Sequence, residues 1–265
     1  MRHQFRSGLF VVMATLTVLT TPPAFAQVDS TLYLTVDCMK STSPDYVDVE
    51  QQIWKPMHQE LVNQGRKATW ALYGVRFGSR EKCDYYTVST FFGSKSMQSD
   101  LADLPDVFAK VHSEADLDEA VAKTLASREV VETELWMMVA GVRPQAFNFI
   151  YVNKMHAQDG PAYVDFESDV FEPVHQALVD DGFTKGWYLH ALLSPHGSEI
   201  GYNFATVDFV DDLGPIPIGE YLAKVHPDRS MEETVLQTGA ARELVSSQTW
   251  SLIAQTEPKT VMNDQ

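Results

Sequence analysis

The stretch Tyr46–Trp70, YVDVEQQIWKPMHQELVNQGRKATW, occurs a second time in the chain as Tyr163–Trp187, YVDFESDVFEPVHQALVDDGFTKGW. The two stretches are identical at 11 of 25 positions without a gap, and Ala109–Trp136 matches Ala223–Trp250 at 12 of 28 positions. The chain therefore carries two copies of a unit of about 115 residues, a period too long for a solenoid. We call residues 27–142 the first repeat and residues 143–256 the second repeat.

Each repeat has the pattern strand, helix, strand, strand, helix, strand. Alternating apolar residues predict the strands, while Pro near a first turn and Gly after a last turn bound the helices. In the first repeat we expect strands at Thr31–Val36, Thr69–Phe77, Asp84–Phe92 and Glu134–Ala140, and helices at 43–64 and 114–131, with Ser113 as an N-cap. In the second repeat we expect strands at Phe147–Val152, Gly186–Leu193, Gly201–Phe209 and Gln248–Ala254, and helices at Gly160–Gly182 and Ser230–Val245.

The N-terminus has the pattern of a signal peptide. Arg2 and Arg6 precede the apolar run Leu9–Leu19, and Ala24-Phe25-Ala26 fits the small-x-small cleavage rule. We therefore expect a signal peptide at residues 1–26, a mature start at Gln27, and a periplasmic or secreted protein. An uncleaved anchor is the alternative. At the other end, the polar residues 257–265 are expected to form a flexible tail.

Charge narrows the range of partners. The chain has 36 acidic and 20 basic residues, and cleavage would remove two basic residues and no acid, leaving 18 against 36, a net charge of −18. Such a charge argues against nucleic acid and anionic membranes as partners. A small-molecule ligand, and possible association into a homo-oligomer, remain compatible with it.

The element order β-α-β-β-α-β is that of the ferredoxin-like unit. Two such units in one chain, with the segments Trp54–Gln59 (WKPMHQ) and Phe171–Gln176 (FEPVHQ), resemble the dimeric α/β-barrel superfamily. That superfamily includes antibiotic-biosynthesis monooxygenase-like, NIPSNAP-like and haem-binding members. The resemblance implies an α+β fold in which two tandem ferredoxin-like units form an intrachain pseudo-dimeric α/β barrel.

This topology places the third strand of a unit antiparallel beside the first. The end of the first strand, at Cys38, then lies near the start of the third, at Cys83. We expect a disulfide between them, with two free, partly buried thiols as the alternative. The second repeat has neither cysteine, which makes a shared metal or redox function unsupported.

Helical wheels place one charge in the middle of each apolar helix face. Glu50 and Glu167 lie within the apolar stripes of the earlier helices, and Arg128 and Arg242 lie at the centres of the later helices' faces. Because a buried charge is costly unless paired, we expect the pairs Glu50–Arg128 and Glu167–Arg242. These are either structural ion pairs or the polar floor of a ligand pocket, where Arg would anchor an anionic or carbonyl group.

Histidines and aromatic residues are further candidates for a site. His58 and His175 each lie two residues after a helix proline, and they are either hydrogen-bonded structural residues, general acid–base catalysts or haem ligands. Neither has a second His or Cys at i+3 or i+4, so no metal site is predicted. Trp70 and Trp187 open the second strand of each repeat, and His190 stands where the first repeat has a tyrosine; these residues either line a pocket or belong to the core.

No nucleophile elbow, phosphate-binding glycine loop or nucleotide fingerprint is present in the sequence. The interpretation we favour is a module without a cofactor that binds a small hydrophobic or anionic ligand between helices and sheet. The alternative is an enzyme resembling the cofactor-free monooxygenases, or the haem-binding members, of the superfamily. In that case His58 or His175 would be the base, and Arg128 or Arg242 the anchor.

Overall fold

Eight antiparallel strands close into a barrel in the order β1-β3-β2-β8-β5-β7-β6-β4. The computed structural model describes residues 31–98, 103–113, 115–197 and 199–259, so the predicted signal peptide, the start at Gln27 and residues 260–265 of the predicted tail lie outside the described residues. The expected α+β fold and its barrel are confirmed. The strands are β1 Leu32–Ser41, β2 Thr69–Phe77, β3 Tyr85–Phe92, β4 Arg128–Val142, β5 Phe149–His156, β6 Gly186–Ser194, β7 Phe204–Val210 and β8 Glu243–Gln255.

The two repeats contribute the same strand order. The first gives β4-β1-β3-β2 and the second β8-β5-β7-β6, and the barrel closes where β2 pairs with β8 and β4 pairs with β6. Among the described strands closure leaves no free sheet edge, so their backbone donors and acceptors can be paired with neighbouring strands.

The barrel interior is filled by side chains from both repeats. Successive residues of a strand face opposite sides of the sheet, so Ala71, Tyr73 and Val75 point inward and pack with Ile150 and Trp250. The ring of Tyr86 stacks on the Trp250 indole at a centroid distance of 3.9 Å. A disulfide joins Cys38 and Cys83, with Cα atoms 5.5 Å apart, which confirms the expected pairing.

The helices lie on the outer face of the barrel. Trp70 and Leu72, which alternate with the inward residues of β2, pack against Tyr46 of the first helix. None of the described helices is long and apolar enough to cross a membrane. The helices are α1 Tyr46–Val49, α2 Lys55–Asn63, α3 Gly93–Gln98, α4 Leu104–Val111, α5 Leu117–Ser127, α6 Gly160–Phe166, α7 Glu172–Asp180, α8 Ile218–Val225 and α9 Met231–Ala241.

A π-helical turn interrupts the first long helix of each repeat. Glu50–Trp54 joins α1 to α2, Glu167–Phe171 joins α6 to α7, and each turn ends just before a proline, Pro56 or Pro173. A proline inside an α-helix lacks the N–H and clashes with the carbonyl four residues earlier. The wider turn accommodates it, and π-helical turns are frequent at functional sites.

One histidine secures each π-helical turn. Nε2 of His112 donates to the Ile53 carbonyl at 3.0 Å, and Nε2 of His226 donates to the Val170 carbonyl at 3.0 Å. Both acceptors lie within the turns, so these histidines tie the segment before α5 or α9 to the neighbouring helix.

Helices α5 and α9 end earlier than predicted. Arg128 has extended backbone angles, φ −153° and ψ 159°, and begins β4 opposite Ser41 of β1. Arg242 is likewise extended and directly precedes β8. The predicted placement of both arginines on helices is therefore wrong, because the extended strand begins where the helical pattern of the sequence still continues. The predicted N-cap is also wrong, since Asp116 caps α5 by accepting from the Asp118 amide.

Candidate functional site

The expected pair of Glu50 and Arg128 is present beneath the first helix. A guanidinium nitrogen of Arg128 lies 3.1 Å from Oε1 of the buried Glu50 and also contacts the Met39 sulfur at 3.2 Å. Burial raises the pKa of Glu50 to about 7, although Arg128 opposes the shift. The ion pair thus joins the π-helical turn, which contains Glu50, to β4, which begins with Arg128. Its role in ligand binding stays a prediction.

The expected pair of Glu167 and Arg242 does not form a direct ion pair. Among the described residues no ion pair joins them, and Nε of Arg242 has no hydrogen-bond partner. The Met155 sulfur, counterpart of the Met39 sulfur, is contacted by the Tyr163 hydroxyl at 3.0 Å instead of by an arginine. Burial is the main cause that raises the pKa of Glu167, and the Tyr163 hydroxyl and the charge of Arg242 oppose the shift. Arg242 therefore acts on this carboxyl without the direct contact that Arg128 makes with Glu50.

In the first repeat, His58 lies between an indole and an ammonium group. Its ring stacks on Trp70 at 4.9 Å, and its Nδ1 lies 3.1 Å from Nζ of Lys67. The same ammonium donates to Oγ of Ser89 at 3.0 Å. Burial, and then the charge of Lys67, holds the pKa of His58 well below its usual value, so this histidine is neutral at physiological pH.

In the second repeat, His175 stacks on Trp187 in the same way, with centroids 4.7 Å apart. Its Nδ1, however, faces a carboxylate, Oδ1 of Asp208, at 3.5 Å. Asp208 lies opposite Trp187 in the sheet, as Ser89 lies opposite Trp70. Burial lowers the pKa of His175 to about 3 and raises the pKa of Asp208 to about 7.

Sequence reasoning missed the residues that complete these two environments. Lys67 and its counterpart Thr184 differ in charge, and so do Ser89 and its counterpart Asp208. The first difference is visible when the two repeats are aligned. The second needs the strand register, because the aligned stretch stops at Trp187.

Trp187 and His190, both candidate pocket residues, lie on different faces of the sheet. The two residues are three apart on β6 and so lie on opposite faces, Trp187 under the helices and His190 inside the barrel. Nε2 of His190 has no hydrogen-bond partner, and burial lowers its pKa to about 4. Trp70 and Trp187 are the stacking partners of the two helix histidines, and their role in ligand binding stays a prediction.

Two cavities stand out in the described structure. One, of about 170 Å³, lies at one end of the barrel beside the disulfide. There Glu134 accepts from Nζ of Lys154 at 2.7 and 2.9 Å, from Nε1 of Trp136 at 3.1 Å, and from the Tyr202 hydroxyl. These partners satisfy the hydrogen-bonding capacity of the Glu134 carboxylate. We therefore interpret the network as a structural one that closes this end of the barrel.

The other cavity, of about 240 Å³, is apolar and lies between helices of the second repeat, at the end of its π-helical turn. Neither cavity is lined by His58 or His175, and the described residues hold no cluster of three metal-ligating side chains. The apolar cavity is lined by Phe171, Ile218, Leu222, Met231, Thr234, Val235 and Thr238.

At the corresponding place of the first repeat, a larger side chain lies between the helices. Trp54, counterpart of Phe171, packs in the cluster around Met57 and Phe108. Its indole Nε1 donates to Oγ1 of Thr124 at 2.8 Å. Thr238, which lines the cavity, is the counterpart of Thr124.

No protein-family model matches this sequence, and no curated protein matches it. Solved structures do match. A candidate monooxygenase from Lactobacillus acidophilus NCFM aligns with a TM-score of 0.53 and 11% identity over 86% of this chain and 97% of that one. A candidate monooxygenase from Fusobacterium nucleatum subsp. nucleatum aligns with a TM-score of 0.56 and 9% identity over 86% of this chain and 95% of that one. At such low identity the chain shares with these proteins the fold alone, which is the α+β barrel that the sequence predicts.

Proposed function

We propose that this protein binds, without chemistry, a small aromatic molecule that carries one hydrogen-bond donor. The site is the apolar cavity of the second repeat. The observation that carries the proposal is the indole of Trp54, which fills the corresponding space of the first repeat and donates to Thr124. That side chain indicates the size, polarity and donor position of a suitable ligand.

The hydroxyl groups at the two positions have the same local geometry. Oγ1 of Thr124 donates to the Ala120 carbonyl at 2.8 Å, and Oγ1 of Thr238 donates to the Thr234 carbonyl at 2.7 Å. A hydroxyl that already donates keeps lone pairs for accepting. In the first repeat an indole N–H uses them, and in the second repeat they are available to a ligand.

The mouth of the cavity is open to solvent. Met231 and Val235, which line it, are 45% and 60% exposed, whereas their counterparts Leu117 and Val121 are partly buried. Covering apolar surface is favourable by about 25 cal/mol per Å². The binding free energy would therefore come mainly from burial, with about 1 kcal/mol from the hydrogen bond to Thr238.

Indole is the natural probe, and 1-methylindole, which lacks the donor, is its control. Titration calorimetry or ligand-observed NMR should show indole binding, with about fivefold weaker binding of 1-methylindole. Phe171→Trp should fill the cavity and abolish binding, whereas Trp54→Phe should retain it. Wild-type protein that ignores millimolar indole, or a Phe171→Trp variant that binds as well as wild type, would overturn the proposal.

The chain organisation supports a finer description. The strand order β4-β1-β3-β2, repeated as β8-β5-β7-β6, supports two tandem ferredoxin-like units that together form a pseudo-dimer. We further propose export and cleavage before Gln27, which the disulfide supports because such bonds persist in oxidising compartments. N-terminal sequencing of protein from the culture medium or periplasm tests this; a chain that retains Met1 contradicts it.

A monooxygenase-like activity is the alternative, and the shared fold is its support. Oxygen consumption by the purified protein with small aromatic substrates would favour it. Haem fits poorly, because the rings of His58 and His175 are stacked on tryptophans, their Nδ1 atoms face Lys67 or Asp208, and neither histidine lines either of the two cavities. We therefore assign no step to haem.

A further inference from the structure

We propose that the second repeat binds a small primary ammonium group, either ammonium ion or a short alkylammonium ion, between His175 and Asp208. This site lies under the helices of the second repeat and is separate from the apolar cavity. The proposal rests on a position-by-position comparison with the first repeat, where an ammonium group is built into the chain.

The first repeat shows how such a group is held. Nζ of Lys67 lies 3.1 Å from Nδ1 of His58 and 3.0 Å from Oγ of Ser89, beneath the helix and against the sheet. Lys67 is itself buried. An imidazole nitrogen and an oxygen on the neighbouring strand are therefore among the groups that hold an ammonium at this place.

The second repeat keeps the acceptors and lacks the lysine. His175 and Asp208 stand at the positions of His58 and Ser89, while Thr184 stands at the position of Lys67. Nδ1 of His175, Oδ1 of Asp208 and Oγ1 of Thr184 have no hydrogen-bond partner in the described structure. These residues are only 5%, 8% and 1% exposed, and buried polar atoms are rarely left without partners.

Charge points to a cation as the missing partner. The exchange of Lys67 for Thr184 removes a positive charge, and the exchange of Ser89 for Asp208 adds a carboxyl. Glu167 is a second carboxyl close enough to act on Asp208 electrostatically. A buried carboxylate is costly unless a cation or donors compensate it, and an ammonium group supplies one charge and several donors.

The side chains favour ammonium over a metal ion. The described residues form no cluster of three metal-ligating side chains here, and two ligands are fewer than metal sites usually have. The N···O separation of 3.5 Å between His175 and Asp208 leaves both atoms within reach of one ammonium nitrogen at ordinary hydrogen-bond distances.

Thermal unfolding at pH 8 in phosphate buffer, with equal concentrations of NaCl, KCl, ammonium chloride or methylammonium chloride, tests the site. The midpoint should rise with ammonium or methylammonium only, in proportion to the logarithm of concentration, by roughly 2–4 °C well above the dissociation constant. Thr184→Lys should raise the midpoint without added ammonium and remove the response. Asp208→Asn should also remove it, while Asp212→Asn, at an exposed carboxylate of the same repeat, should keep it.

Two results would overturn the assignment. One is a wild-type midpoint that responds to ammonium no more than to sodium or potassium. The other is an Asp208→Asn variant that responds as wild type does. If Thr184→Lys does not fold, ¹⁵N NMR of ¹⁵N-ammonium replaces it, because bound ion should broaden the signal with wild type and not with Asp208→Asn. None of these measurements involves indole, so the proposal fails or stands independently of the apolar cavity.

Discussion

Trp54 and Lys67 of the first repeat stand where the second repeat has Phe171 and Thr184. In the first repeat the larger pair fills space and supplies donors, to Thr124 in one case and to Ser89 in the other. In the second repeat the smaller pair leaves a cavity beside Thr238 and orphaned polar atoms at His175 and Asp208. One copy of a duplicated unit can thus contain, as side chains, the groups that the other copy would take up as ligands.

The two repeats should therefore contribute differently to stability. The Glu50 carboxylate has a guanidinium at 3.1 Å, whereas Glu167 has no ion-pair partner among the described residues. Each unsatisfied buried polar group costs about 1–3 kcal/mol, and His175, Thr184 and Asp208 each have one such atom in the second repeat. We expect the helix layer of the first repeat to be the more stable one, and that of the second to be the more responsive to ligands.

The largest expected effect separates the two glutamates. Glu50→Ala should lower the free energy of unfolding by about 3–5 kcal/mol, because it leaves the partly buried Arg128 without its carboxylate partner. Glu167→Ala should cost clearly less, since no pair is broken. Urea denaturation at pH 8 measures both. Equal losses would contradict the difference between the repeats, and an unchanged Glu50→Ala variant would contradict the ion pair itself.

The disulfide is a further difference, since it crosslinks the first repeat alone. Replacing both Cys38 and Cys83 by Ser should lower the free energy of unfolding by about 2–4 kcal/mol, because the unfolded chain gains freedom. Denaturation of the wild type with and without reductant provides the matched comparison. A double variant as stable as the oxidised wild type would show that β1 and β3 need no crosslink.

Asp208 should make the second repeat sensitive to pH. Its pKa is raised from 3.8 to about 7 in the folded protein, so folding binds a proton between these values and stability falls as pH rises through that window. Asp208→Asn should therefore gain about 2–3 kcal/mol relative to wild type between pH 5 and pH 8. His175 is present in both proteins, so its own titration largely cancels in the difference.

The measurement is urea denaturation at several pH values in buffers free of ammonium and amines. Ser89→Asn, at the counterpart position, is the control and should show no such pH-dependent gain. A constant difference between wild type and Asp208→Asn across this range would show that the carboxyl is not titrating within it.

Local sequence was sufficient wherever neighbours along the chain decide the structure. Strand β2 spans Thr69–Phe77, the bounds predicted from its β-rich composition and the Gly78 turn that follows. The duplication and the element order predicted the barrel through the family resemblance that they support, and the topology of the unit predicted the Cys38–Cys83 bond. For these features the alternation of apolar residues, the turn residues and the topology all indicate the same structure.

The features that the sequence did not predict depend on contacts between segments that are distant along the chain. Arg128 looked helical because its spacing continues the face of α5, yet pairing with β1 begins there. Asp208 became a candidate only through its register opposite Trp187. The Glu50–Arg128 pair was predicted correctly, although only Glu50 lies on a helix and Arg128 begins a strand. Two opposite charges in an apolar environment favour each other as partners whichever secondary structure carries them.

The smallest effect is the most informative about function. Trp54→Phe should cost about 1–2 kcal/mol through a lost hydrogen bond and a new cavity, and it should give the first repeat the side chain that the second repeat has. Indole should then bind two sites per chain instead of one, as calorimetric stoichiometry would show. A destabilised variant that still binds one indole would mean that Phe108, which is larger than its counterpart Leu222, closes the space without Trp54. In that case Trp54→Phe combined with Phe108→Leu should open the second site, and if it does not, the apolar cavity depends on more of the second repeat than these two positions.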